Sequence, residues 1–307
     1  MGNARIAVAA AYAAVVLIWG TTWLGIKVSL HGLPPIAGAG FRFLIAGVVL
    51  YALGAALRRG VRRAAPPWHL VIVLALTLFG VNYTLTYTAE THLSSGLVAV
   101  LFGTMPFFIF ALARAMLGER SDRNTLLGAL VAFAGVALIS LAGDVRADLP
   151  YVVAALAAAL SSAYANVYLK RFAHAEPFTT LPPAMLLSGA VMAAYGVGFE
   201  HVDWHRASQP ASLAALAYLA CCGSAVAFYL NHWLLQRIDS GTVGLSALMI
   251  PVVAVAVGAV FGGEVFGMRD IAGALLVIAG VWLSMRGMPR TQLAPAVEAL
   301  VEPHAAG

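Results

Sequence analysis

Ten apolar stretches follow one another along the chain, at roughly 7–27, 34–57, 68–89, 94–117, 123–142, 149–169, 178–198, 211–235, 241–262 and 268–286. Each comes close to the roughly 20 residues that a helix needs to cross about 30 Å of hydrocarbon. None shows the about ten-residue in–out alternation of a barrel strand. Only helices and closed barrels satisfy their backbone polar groups in lipid. The pattern therefore predicts an all-α membrane protein with ten transmembrane helices. The first stretch follows Arg5, is too long for a signal peptide and lacks a convincing small-residue cleavage site, so it reads as an uncleaved span. Residues 287–307 carry Pro289, Pro295 and Pro303 without a sustained apolar run, which predicts a flexible cytoplasmic tail.

Composition sharpens this picture. Hydrophobic residues make up 62% of the chain and charged residues 10%, with a mean hydropathy of +0.89. A soluble domain is about a quarter charged, so a soluble enzyme, a disordered chain and a disulfide scaffold are all excluded. The net charge of +5 does not point to nucleic acid, because the basic residues sit in short clusters between apolar runs. Thirteen of the eighteen Lys and Arg residues fall on the side that holds the N-terminus, and three on the other. That bias predicts cytoplasmic termini. Cys221 and Cys222 are neighbours and read as small apolar fillers. No Cys/His cluster has zinc spacing and no phosphate-binding GxxxxGK[ST] loop is present, so neither metal, cofactor nor ATP is expected.

Shifted by 145 residues, the chain matches itself. Ser95-Gly96 falls on Ser240-Gly241, Pro106 on Pro251, Gly118-Glu119 on Gly263-Glu264, and Gly128-Ala129-Leu130 on Gly273-Ala274-Leu275. A shift of 143 aligns the first stretch with the sixth and puts Lys27 on Lys170. The chain thus divides into two five-span repeats, 1–142 and 148–286. Five is odd, so the second repeat enters the membrane from the opposite side. Inverted repeats of this kind are typical of secondary transporters, whose substrate site lies near the midplane between the halves.

Several motifs then carry a specific resemblance. They are Trp19-Gly20-Thr21-Thr22-Trp23 with Lys27, Pro34-Pro35 followed by Phe41-Arg42-Phe43, Ala89-Glu90, Ser94-Ser95-Gly96, Pro106 and Gly118-Glu119. Over residues 7–286 the chain resembles the EamA-type branch of the drug/metabolite transporter superfamily. The resemblance implies efflux of amino acids and other small metabolites or drugs across a bacterial inner membrane. One departure stands out: Ser161-Ser162-Ala163 occupies a place where Ser-Trp-Ala is common in that family.

Charge is scarce inside the spans, and this limits the candidate chemistry. No Asp or Glu lies in the central part of any stretch. The charged or titratable candidates are Lys27, Arg42 and His232. Arg42 reads either as a structural residue tied to backbone carbonyls or as a clamp for a substrate carboxylate. His232 reads as a packing residue or a proton carrier. Uncharged polar and aromatic residues gather in the first, third, sixth and eighth stretches, and Trp19, Asn82, Tyr83, Tyr164, Tyr229 and Asn231 are the expected cavity contacts. Pro106 and Pro251 are expected to break their helices, with Gly96 and Gly241 as hinge positions.

The leading expectation is a secondary exporter working by alternating access on a small molecule, embedded in the bilayer as a monomer or weak homodimer. An importer or exchanger of another solute is the nearest alternative. A non-transporting receptor or scaffold is an alternative of a different class. A membrane-embedded enzyme is excluded by the lack of a buried acid–base set, a metal motif or an activated nucleophile.

Overall fold

The computed structural model describes residues 2–57, 67–93, 95–140, 148–262 and 267–286. Among these residues every regular element is helical. In chain order they are α1 (Gly2–Leu30), α2 (Pro35–Leu57), α3 (Trp68–Glu90), α4 in two pieces (Ser95–Phe102 and Met105–Leu117), α5 (Arg123–Ser140), α6 (Leu149–Arg171), α7 (Pro177–Phe199), α8 (Pro210–Leu235), α9 in two pieces (Ser240–Gly244 and Ser246–Gly262) and α10 (Met268–Arg286). A single turn, Trp204–Ala207, precedes α8. Seven helices are long and apolar enough to cross a membrane, and the apolar parts of α5, α9 and α10 are shorter. The 287–307 tail and the Gly263-Glu264 pair lie outside the described residues.

Local sequence fixes the ends. Pro35, Pro150, Pro177 and Pro210 stand in first helical turns, where a missing N–H costs nothing. Gly118 closes α4 with φ +72°, a left-handed conformation that glycine adopts without strain. The Asp239 carboxylate starts α9 by accepting the Thr242 N–H at 2.7 Å.

Two helix pairs form the rims of the bundle, α2 with α7 and α5 with α10. Both are joined where small residues let backbones meet. A Cβ at Gly40 of α2 would overlap the Ala193 backbone of α7, and one at Gly280 of α10 would overlap the Ala132 backbone of α5. Such close approach suits membrane helices, which gain from packing rather than from a hydrophobic drive between them. The partners in each pair hold equivalent places in the two repeats, and they run antiparallel. Glu200, just past the end of α7, accepts the N–H groups of Ile36 and Ala37 at the start of α2, at 3.1 and 2.7 Å. Thr125 at the start of α5 and Ser284 near the end of α10 each donate a hydroxyl to the other's carbonyl, at 3.3 and 2.7 Å.

The remaining contacts obey the same exchange. Helix α1 packs on α8 and α9, and its counterpart α6 packs on α3 and α4. These six helices surround the centre.

The breaks differ from the sequence expectation. In α4 the interruption is at residues 103–104, and Pro106 stands in the first turn of the second piece. In α9 it is at Leu245, and Pro251 lies inside a continuous helical piece. Pro251 therefore does not break its helix. A larger irregularity has no proline to mark it. Helices α3 and α8 each contain a wide turn with five-residue hydrogen-bond spacing, at Leu74–Val81 and Cys221–Val226. The 145-residue shift carries Val81 onto Val226, so the two wide turns end in register.

Candidate functional site

A central cavity opens between α1, α3, α4, α6, α8 and α9, with Arg42 of α2 reaching in. Its atom-free space is about 920 Å³, open mouth included. Its wall is largely apolar, with Ile26, Leu78, Phe102, Met105, Phe228 and Ile250 among the lining residues, and no Asp or Glu among the described residues lines it.

The wide turn of α8 builds one polar wall. Within it the Gly223 carbonyl accepts the Trp19 indole N–H at 3.2 Å and Arg42 Nη2 at 3.1 Å. The next residue, Ser224, accepts Arg42 Nε at 2.6 Å. Position 223 has no room for a side chain, because a Cβ there would come within 2.7 Å of Thr22 Cγ2. Arg42 is 1% exposed, and its guanidinium lies 5.0 Å from the Tyr83 ring centroid. The Tyr83 hydroxyl stands 3.5 Å from Nη2, and the Tyr87 hydroxyl also interacts with the cation. Arg42 Nη1 makes no hydrogen bond of ordinary geometry.

A second polar stretch of the lining is amidic. Asn231 of α8 donates to Asn166 of α6 at 2.9 Å, and Asn166 donates back to the Ser162 carbonyl at 2.8 Å. On α3, Asn82 donates to the Leu78 carbonyl and Thr86 to Asn82 Oδ1, at 3.1 and 3.4 Å. The wide turn of α3 presents the Thr77 carbonyl to the Ser161 hydroxyl at 2.8 Å.

One turn beyond Asn166 and Asn231, a set of polar ties joins three linkers. Lys170 donates to the carbonyls of Leu235 and Ile238 at 2.7 and 2.9 Å. Gln236 donates to Ala173 and Ala175, at 2.7 and 3.2 Å. Glu119, after α4, accepts the Ser240 hydroxyl at 2.6 Å and its N–H at 3.2 Å. Burial holds the Glu119 carboxyl above its ordinary range, against the pull of those Ser240 bonds.

Of the residues singled out from the sequence, Trp19, Asn82, Tyr83, Asn231, Arg42 and Pro251 line this cavity. Tyr164 and Tyr229 are not among its lining residues. Tyr164 stacks on Tyr168 at 5.8 Å, and Tyr229 packs on Phe178 of α7 at 4.8 Å. His232 is fully buried away from the wall, near the Ala175 backbone. Pro106 is buried but does not line the space. Gly241 allows α9 to approach Phe110 of α4. The Lys27 side chain and the surroundings of Gly96 lie outside the described residues. Ser162, Asn166, Thr22 and Thr86, from the polar residues gathered in the first, third and sixth stretches, also line the cavity. The i, i+4 spacing of Ser162 and Asn166 within α6 is the signal that marks two of them.

Comparison with known proteins agrees with this architecture. The EamA-like transporter family matches the chain twice, over residues 6–141 and 149–286. A Salmonella typhimurium protein described as a probable amino-acid metabolite efflux pump is 29% identical over 289 residues, which cover 89% of this chain and 93% of that one. An Escherichia coli protein described as an uncharacterized inner membrane transporter, YedA, is 28% identical over 261 residues, covering 82% and 81%. A crystal structure at 22% identity superposes with a TM-score of 0.79 over 96% of this chain and 99% of that one, a likeness of fold. With both halves matched by the family and multiple apolar helices in place, the chain is a multi-pass membrane protein that belongs to the EamA-like transporter family, within the drug/metabolite transporter superfamily.

Proposed function

We propose that the protein is a secondary exporter of amino acids or similar small metabolites in the bacterial inner membrane, working by alternating access. In this reading ten helices cross the bilayer as two inverted repeats, 1–142 and 148–286, with both termini and the 287–307 tail in the cytoplasm. The observation that carries it is the central cavity, walled by both members of each repeat-equivalent pair: α1 and α6, α3 and α8, α4 and α9. An enclosure shared by inverted halves has two mirror-related ways to open.

The ties at Lys170, Gln236 and Glu119 support a closed cytoplasmic side, since they lie at the end rich in Arg and Lys. Sequence equivalence puts Lys27 and Glu264 in the corresponding places of the other half. Opening inward then consists of releasing the first set while the second forms. The relatives described as probable amino-acid metabolite efflux pumps, from Salmonella typhimurium and Escherichia coli, favour export and a small amphipathic cargo.

The test is growth inhibition by amino acids and toxic analogues with and without overexpression, then flux of the hits in proteoliposomes, with and without a pH gradient. Protection in cells together with flux in liposomes is expected. The absence of flux for every compound that binds would favour a receptor instead.

A further inference from the structure

Arg42 is built differently from a residue that merely holds helices together. A buried cation is costly unless it is paired, yet every partner of this guanidinium is neutral: the Ser224 hydroxyl, the Gly223 carbonyl and the hydroxyls of Tyr83 and Tyr87. Nε and Nη2 are held by α8, which fixes the plane of the group, while Nη1 is left over. The inverted scaffold does not demand a charge here. The symmetric contacts of Gly40 with Ala193 and of Gly189 with Leu44 relate α2 to α7 by 149 residues, which pairs Arg42 with Val191, a residue 63% exposed. Among the described residues, the cavity that Arg42 lines contains no carboxylate to neutralise it.

We infer that Arg42 is the specificity-determining residue of this cavity: Nη1 receives the carboxylate of a singly charged or zwitterionic solute with an apolar body, and solutes of net positive charge are turned away. The inference rests on the transporter reading for its meaning but concerns binding alone. A carboxylate brings one negative charge to one unpaired cation. A dianionic phosphate would leave a second charge uncompensated among Phe102, Met105 and Phe228. A pre-positioned donor adds affinity because little of it has to be ordered on binding. Tyr83, at the limit of hydrogen-bonding distance, covers the guanidinium and moves aside for the carboxylate. Trp19 and Phe228, packed edge to face at 5.4 Å, offer the apolar body its surface.

Matched acid and amide pairs test this on the purified full chain in detergent: L-phenylalanine with L-phenylalaninamide, 3-phenylpropanoate with 3-phenylpropanamide, and hexanoate with hexanamide. Affinity is read from thermal stabilisation against concentration. A charge-assisted hydrogen bond predicts that acids bind between about tenfold and a hundredfold more tightly than their amides. In Arg42→Gln the ratio falls below about threefold. If that variant does not fold, Tyr83→Ala uncovers the cation and is expected to raise the ratio of acid to amide affinity, and an unchanged or smaller ratio overturns the inference. Equal binding of acids and amides by the unaltered protein overturns the inference. So does a preference that survives Arg42→Gln, or a failure of every acid to bind. Flux of the same compounds in proteoliposomes separates the two readings. Transport of amides but not acids leaves a transporter with a different selectivity, whereas acid binding without flux leaves the Arg42 site and removes the transporter.

Discussion

Helices α3 and α8 hold equivalent places in the two halves and carry wide turns that end in register, yet the turns serve different ends. In α3 the Thr77 carbonyl keeps the Asn82 N–H of its own helix and adds one neutral hydroxyl, that of Ser161. In α8 the Gly223 carbonyl is shared by an indole and a guanidinium, and Ser224 completes the hold on Arg42. The same backbone irregularity is a packing joint in one half and the mounting of a charge in the other. Symmetry accounts for the fold, and departure from symmetry accounts for the chemistry of the cavity.

Four substitutions test this difference. Gly223→Val should have the largest effect. Its side chain collides with Thr22 and displaces Arg42, adding overpacking of about 1–3 kcal/mol to the loss of the charge's partners. A sharp fall in melting temperature in detergent and loss of acid binding are expected. Ser224→Ala removes the acceptor of Nε without adding bulk. It should cost about 1.5–3 kcal/mol, read as a smaller fall in melting temperature. Trp19→Phe keeps the ring against Phe228 but removes the N–H to Gly223. It should cost about 0.6 kcal/mol and leave the acid-over-amide preference intact. Ser161→Ala, at the α3 turn, should cost no more than that same roughly 0.6 kcal/mol and leave binding unchanged. An effect of Ser161→Ala on binding as large as that of Ser224→Ala would erase the distinction between the two turns.

Much of this is legible in the sequence. The apolar periodicity marks the helices, and the shift of 145 marks their pairing, because a repeated fold repeats the residues that end helices and let them touch. Gly118 and Gly128 show this directly: one closes α4 at positive φ, the other lets α5 reach α10. The wide turns are hidden because a single extra residue in a helical turn needs no proline and changes no composition. They also rotate the rest of the helix, so the face of α8 beyond residue 226 does not continue the face before residue 221.

The misplacement of Tyr164 and Tyr229 has a simpler cause. Each lies two residues from a cavity-lining amide, Asn166 or Asn231, and two residues on a helix are about 200° apart. Closeness in sequence to a polar residue suggests a shared surface, but the helical period puts the aromatic ring on the other side. His232 directly succeeds Asn231 and is likewise turned away from the wall.

The central claim is that the cavity between the inverted halves opens to each side in turn. Ser162 lines it and lies on α6. The direct measurement is alkylation of Ser162→Cys, in a background with Cys221 and Cys222 replaced by alanine, by a membrane-impermeant maleimide added to one face of oriented vesicles at a time. The account predicts labelling from both faces, with a ligand that slows one rate speeding or sparing the other. Labelling from one face only, under every ligand and pH gradient tried, would contradict it.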